Sequence, residues 1–197
     1  MVKFFKEALK KISSKKTKSK ILVGPLFNYS QLLSLSTLIK EKDNIKVVVA
    51  SEIVKNILIS YSSLKIHESK IEVLPVGISS RNKKISNKLR NDDQCLVYFK
   101  NRDVSELKHI ENVLNQKKIK YKIFEYGNYK NSELINYAKY STFGITLTKT
   151  ESQGIAIQEL LNQNLPLIVN EYTKNSTFIE GQIITGSSVP FWSEKCG

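Results

Sequence analysis

From Lys20 onward, short β-rich runs alternate with amphipathic stretches. Ile21 to Val23 reads as a strand stopped by Gly24-Pro25, Lys46 to Ala50 (KVVVA) as the next, and Ile71 to Val73 as a third that runs into Leu74-Pro75-Val76-Gly77-Ile78. Between them, Ser30 is placed to cap a helix carrying Leu32, Leu35 and Ile39, and a second helix covers Glu52 to about Ser60. Further on, Cys95 to Phe99 (CLVYF), Ile119 to Phe124, Phe143 to Leu147 and Pro166 to Val169 read as strands. Asp103, with Glu106 three residues later, predicts a capping box for a helix that turns Leu107, Ile110 and Leu114 to one face. Ser132 is expected to cap a helix with Leu134, Tyr137 and Ala138 inward, and Gly154 to Leu161 reads as the last helix. Strands alternating with helices at this spacing predict an α/β protein, a Rossmann-like parallel sheet flanked by helices. Ligands in such sheets bind beyond the carboxyl ends of the strands.

Between the two halves of this pattern lies Ser79 to Asp92 (SSRNKKISNKLRND), with five basic and two apolar residues. It reads as an exposed connector. The expected organisation is therefore a basic tail over residues 1–19, a small α/β unit over 20–80, a basic linker over 81–92 and a second α/β domain over 93–197. A chain of 197 residues with 41% hydrophobic positions is long enough to bury a core in one or two domains, which excludes disorder as its general state.

The 31 Lys and Arg against 18 Asp and Glu give a formal net charge of +13, of which the eight Lys and one Glu within residues 1–20 supply +7. Such a charge attracts phosphate in a small molecule, a nucleic acid or a membrane face. The tail fits two states, a solvated arm and an interfacial helix on anionic lipid with Phe5, Ala8, Leu9 and Ile12 opposite its lysines. Charge concentrated in tail and linker, with no aromatic-basic RNA motif, disfavours a nucleic-acid partner. The two Cys and two His are scattered along the chain in no zinc-ligand spacing, so no structural zinc site is expected, and no apolar run reaches the roughly 20 residues of a membrane span. We expect a cytoplasmic protein with reduced thiols, either free or peripheral at the inner membrane face. His67 and His109 sit in no metal spacing; His109 reads as a solvated side chain, as does the Asp92-Asp93 pair.

The most informative stretch is Lys149 to Val169, KTESQGIAIQELLNQNLPLIV. A strand runs into a loop holding Glu151, then Gly154, then a helix holding Glu159. With a helix starting near Ser152 or Gln153, Glu159 lies about 9 Å along its axis, roughly the length of a diphosphate with its flanking groups. Free amides beside a glycine cradle an anion, and carboxylates accept from sugar diols. The plainer alternative is a loop acid and a solvated helical glutamate. Lys100-Asn101-Arg102 stands at another strand's carboxyl end, placed either to neutralise a phosphate or as ordinary surface charge. Tyr126-Gly127 ends the next strand, as a ligand-bordering residue or a plain turn.

Glu151-Ser152-Gln153-Gly154, Glu159-Leu160-Leu161 and Leu165-Pro166-Leu167-Ile168-Val169 together resemble the E-x7-E signature of GT-B-type retaining glycosyltransferases. Leu74-Pro75-Val76-Gly77-Ile78 is similar to that family's P-x-G-I turn, Val49-Ala50-Ser51-Glu52 to the strand before it, and Val189-Pro190-Phe191-Trp192 to a segment after the domain in some bacterial members. The resemblance covers roughly residues 20 to 197 and implies a GT-B-type C-terminal domain preceded by a shortened α/β unit. It implies that Glu159 holds the ribose hydroxyls of a nucleotide-sugar donor, Glu151 contacts the transferred sugar, the Gly154 and Ile155 amides face the diphosphate, and Lys100 and Arg102 neutralise it as it leaves. Tyr126 would border the base. The implied activity is hexosyl transfer to a glycan, lipid or protein acceptor, with no metal or other cofactor. The chain departs from the family at Asn164, where glycine is usual, and at Glu171-Tyr172-Thr173-Lys174, where a glycine-rich loop is usual. The small first unit leaves two further expectations: a non-catalytic, truncated or partner-dependent nucleotide-binding module, and a partner chain that supplies the acceptor domain.

Overall fold

The computed structural model describes residues 20–26, 33, 36–78, 91–172, 176–179 and 182–191. The tail at 1–19, the Ser30 cap, Leu32, Leu35, residues 79–90 of the connector, Trp192 and Cys196 lie outside them. The chain divides into two compact units, one reaching Pro75 and joined by Phe178–Ile184, the other made of Val76–Thr177 and Thr185–Gly197.

The first unit is a three-stranded parallel sheet in the order β1-β2-β3. Strand β1 (Ile21–Leu26) leads through helix α1 (Ser36–Glu41) to β2 (Ile45–Val49), and α2 (Glu52–Ile59) leads on to β3 (Ile71–Val73). Both crossovers step the same way, so right-handed connections put both helices on one face. Val23, Ile45, Val47, Val49 and Ile71 meet Ile39, Val54, Leu58 and Leu64 there in one core cluster. Helix α2 starts where it does because Ser51, in extended conformation, accepts a hydrogen bond from the Val54 amide. A Cβ at Gly24 would lie 2.3 Å from the Val48 carbonyl oxygen, so β1 can pass this close to β2 only as glycine. The register shifts between Val23 and Leu26, which carries β1 past the Gly24-Pro25 stop expected from sequence.

The second unit carries four parallel strands in the order β5-β4-β6-β7. They are β4 (Asn91–Lys100), β5 (Lys120–Glu125), β6 (Ser141–Thr148) and β7 (Leu167–Val169), connected by α3 (Val104–Gln116), α4 (Asn131–Tyr140) and α5 (Ile155–Leu161). The period of two along β4 sorts its side chains. Leu96 and Tyr98 pack with Leu134, Ala138, Leu160 and Leu165 beneath α4 and α5, while Cys95, Val97 and Phe99 pack with Leu107, Ile110 and Leu114 of α3. The sheet is thus helix-covered on both faces, as the strand-helix rhythm requires of a Rossmann-like α/β fold. A further pair of strands, β8 (Ser176–Ile179) and β9 (Gln182–Thr185), forms a two-stranded sheet.

Three local expectations are corrected. Strand β4 begins at Asn91, inside the stretch read as linker to residue 92, because Asn91 already pairs with Ser141 of β6. Helix α4 is capped at Lys130, without a side-chain hydrogen bond, and so starts one residue before Ser132. Asp103 does cap α3, accepting from the Ser105 amide at 2.8 Å, but Glu106 completes no capping box with it: its carboxylate is held by Arg102. Among the described residues no helix is long and apolar enough to cross a membrane.

Candidate functional site

From β4 the chain steps outward to β5, then returns across β4 to β6 and β7. The reversal lies between β4 and β6, and beyond the carboxyl ends of strands at such a reversal the flanking loops diverge and leave a crevice. Lys100 ends β4 and pairs in register with Thr148, the end of β6. The next residues after Thr148 form the loop to α5, and there Glu151 meets Lys100, with Nζ 2.9 Å from Oε2. The side chains of Lys100 and Glu151 are 17% and 7% exposed, so this pair is far better shielded than the surface pairs of the first unit. The Lys100 ammonium also lies 4.4 Å above the ring of Tyr126, which follows β5 and is itself exposed.

The loop that presents Glu151 is fastened from several sides. The Glu151 amide donates to the Ser187 carbonyl at 3.0 Å, and Ser188 donates through Oγ to the Thr148 carbonyl at 2.7 Å while its own amide donates to Glu171. Gln153 is buried, donates to the Val76 carbonyl, and through its own carbonyl accepts from the Gln158 side chain. Gly154 adopts φ 63° and ψ 43°, a left-handed conformation that favours glycine and stops the helix from extending toward Ser152. Helix α5 therefore starts at Ile155, later than the spacing argument assumed, and Glu159 is its fifth residue. A Cβ at Gly154 would also press within 3.2 Å of the Phe191 ring.

Arg102 stands near this edge but is otherwise engaged. Its side chain is 3% exposed, its Nε and Nη2 bind the Glu106 carboxylate, and Nη1 donates to the Thr148 and Asn170 carbonyls at 3.0 and 2.8 Å. The guanidinium also lies 4.7 Å over the Tyr172 ring. It braces the carboxyl end of β6 and the segment after β7.

Glu159 accepts a hydrogen bond from Asn131 Nδ2 at 3.0 Å, which ties α5 to the first turn of α4. Two tyrosines that sequence reading passed over pack against each other in the same unit. Tyr98 is 1% exposed and lies two residues before Lys100 on the same side of β4. Tyr129 is half-buried, and its ring stands edge-on to Tyr98 at 6.2 Å and to Phe124 at 5.7 Å. Burial above all pushes both phenols upward; the negative charges of Glu151 on both and Glu159 on Tyr129 push the same way. The available signal was a phenol within the apolar run CLVYF, since a buried tyrosine demands a partner for its hydroxyl.

Lys100, Glu151 and Tyr126 thus meet at the carboxyl edge of one sheet, Gly154 and Ile155 form the end of the connecting loop and the helix start, and Glu159 is bonded instead to Asn131 of α4. Among the described residues no group of three or more His, Cys, Asp and Glu converges as a metal site. Neither protein-family models nor curated proteins nor solved structures yielded a match to the chain.

Proposed function

We propose that the second unit binds a nucleotide-diphosphate sugar and that the chain transfers its glycosyl unit to an acceptor hydroxyl, with retention. The observation that carries this reading is the shielded Lys100–Glu151 pair at the strand-order reversal, where an α/β sheet holds its ligand. In the transfer the bond from the anomeric carbon to the diphosphate oxygen breaks and its electron pair leaves with the diphosphate. The acceptor oxygen bonds to that carbon, and its proton passes to the departing diphosphate. Negative charge develops on the leaving oxygen, and a fixed ammonium there is worth several kcal/mol. Lys100 supplies it, exchanging part of its contact with Glu151 for the phosphate. Glu151 then accepts from a hydroxyl of the transferred sugar, Glu159 from the ribose, and Tyr126 borders the base. The Gly154 and Ile155 amides face the diphosphate, and no metal or further cofactor enters. Arg102 acts as a brace for the β6 edge.

A second reading, a nucleotide-binding module without turnover, is favoured by Arg102, whose donors are committed to protein groups rather than to a leaving diphosphate. Thermal-shift titration with UDP-, GDP- and ADP-sugars tests donor binding. A ligand at about 100 times its dissociation constant adds roughly 2.7 kcal/mol to the native state. One nucleotide class should raise the melting temperature, and Glu159→Ala should abolish the rise. Release of nucleoside diphosphate on adding acceptor glycans or lipids supports transfer; binding without release supports the module. A cooperatively melting chain that no donor stabilises would sink both.

A further inference from the structure

Resting on that donor-binding reading, we propose that Tyr126 is a positioning residue as well as a border to the base: its ring keeps the Lys100 ammonium at the carboxyl edge of the sheet when Glu151 turns to the sugar. The juxtaposition is one cation between two unlike neighbours. Lys100 Nζ lies 2.9 Å from Glu151 Oε2 and 4.4 Å from the centre of the Tyr126 ring. The sheet fixes both ends of the ring contact. Lys100 is the last residue of β4 and pairs with Thr148 of β6, while the Tyr126 amide donates at 2.9 Å to the carbonyl of Phe99, the residue before Lys100. The turn that carries the ring is closed as well: the Asn128 amide donates to the Glu125 carbonyl at 3.0 Å, and the Asn128 side chain to the Glu125 carboxylate at 2.8 Å. Yet Tyr126 is 57% exposed, so burial does not account for where its ring stands.

The two neighbours act differently on the ammonium. A carboxylate neutralises it and repels phosphate, whereas the face of a phenol ring attracts it and adds no charge. Lysine carries its charge on a flexible four-carbon stem with three donors, so an ammonium held by Glu151 alone would follow its partner or swing into solvent once that contact is given up. Held also on the ring, it stays in place. The donor that met Glu151 then turns to a phosphate oxygen with the full positive charge behind it.

The test is calorimetric titration of the full chain with UDP, GDP and ADP and, for the base it accepts, displacement of that nucleotide by inorganic pyrophosphate, which has no base. Wild type is compared with Tyr126→Leu, Tyr126→Phe, Lys100→Met and the double variant of Lys100→Met with Tyr126→Leu. Tyr126→Leu should weaken pyrophosphate binding about three- to five-fold, the equivalent of one partly exposed cation–π contact, and Tyr126→Phe, which keeps the ring, should leave it at the wild-type value. Lys100→Met should weaken it as well, and adding Tyr126→Leu should then cost nothing further, because Tyr126 acts through Lys100. A disturbed turn would instead give the same loss in both backgrounds. Pyrophosphate binding unmoved by Tyr126→Leu makes Tyr126 a base contact only and overturns the assignment. So do a loss shared by Tyr126→Phe, an undiminished loss in the Lys100→Met background, and a bound nucleotide that pyrophosphate does not displace; donor binding stands in each case. A wild type that binds none of the three nucleotides overturns the donor-binding reading, and this assignment with it. If Lys100→Met does not fold, the variants at the exposed Tyr126 decide alone, by loss with Leu and retention with Phe.

Discussion

The two units are built from the same strand-helix-strand element, yet only one gathers chemistry. In the first, β1, β2 and β3 are laid down in one direction, so the sheet has no reversal and its polar side chains pair at the surface: Lys46 with Glu72, Lys55 with Glu68, Lys70 with Asp43. In the second, the step to β5 and the return past β4 open an edge where loops part, and there the chain places a lysine and a glutamate that are both largely withdrawn from water. Strand order, more than composition, separates a scaffold from a site.

The sharpest way to break this contrast is to remove one cation from each unit. Lys100→Met leaves Glu151 shielded and uncompensated and should cost about 3 kcal/mol in denaturant unfolding, as loss of one partner of a buried pair does. Lys46→Met should change stability far less, since its partner Glu72 is half exposed and water replaces the lost contact. Similar losses for the two would mean that the Lys100–Glu151 pair is no more than surface charge. Next in size, Gly154→Ala should cost about 1–2 kcal/mol from its left-handed backbone and the close Phe191 ring, and should weaken any nucleotide bound, because the same residue fixes where α5 starts. Unchanged unfolding and binding would deny the loop its role.

Two smaller effects sharpen the picture of the second unit's sheet and its α3 cap. Burial pushes the Cys95 thiol up to about 12, so site-resolved mass spectrometry should find it unalkylated by iodoacetamide at pH 8 in the native chain and labelled only after denaturation. Rapid native labelling would mean that the face of β4 under α3 opens. The Asp103 carboxyl is held below its ordinary value by hydrogen bonds from Ser105, the backbone bond first. A lowered native value contributes stability above the unfolded-state value, about 3.9, and loses it as pH falls through the native one. The stability gap between wild type and Asp103→Ala should therefore be full at pH 6 and shrink toward pH 2. A pH-independent gap would assign the effect to helix propensity instead of the charged cap.

Both sets of strands were legible because their signal is local. Runs such as KVVVA and CLVYF are too apolar to sit in solvent, and Ile71 to Val73 matches its strand end for end. The errors fell where a choice is made by a neighbour. Glu106 is a fitting capping-box partner by spacing, but the nearby Arg102 guanidinium offers a stronger bond than a backbone amide. Arg102 and Lys100, two residues apart, look interchangeable in sequence; one is consumed by carbonyls and Glu106, the other faces Glu151. Nothing near Tyr98 in the chain foretells Tyr129, which lies across β5 and its turn.

By itself the sequence determined the α/β class and the strands and helices of the two parallel sheets, though not β8 and β9, and it set Glu151, Gly154 and Glu159 in one strand-loop-helix stretch. These follow from periodicity, capping chemistry and turn residues, which act within a few positions of the chain. Tertiary structure alone decided the strand order β5-β4-β6-β7, which cation meets which carboxylate, and the Tyr98–Tyr129 ring contact. Those depend on which segments become neighbours across the sheet, and a buried charge or hydroxyl takes its partner from whatever packing brings within reach.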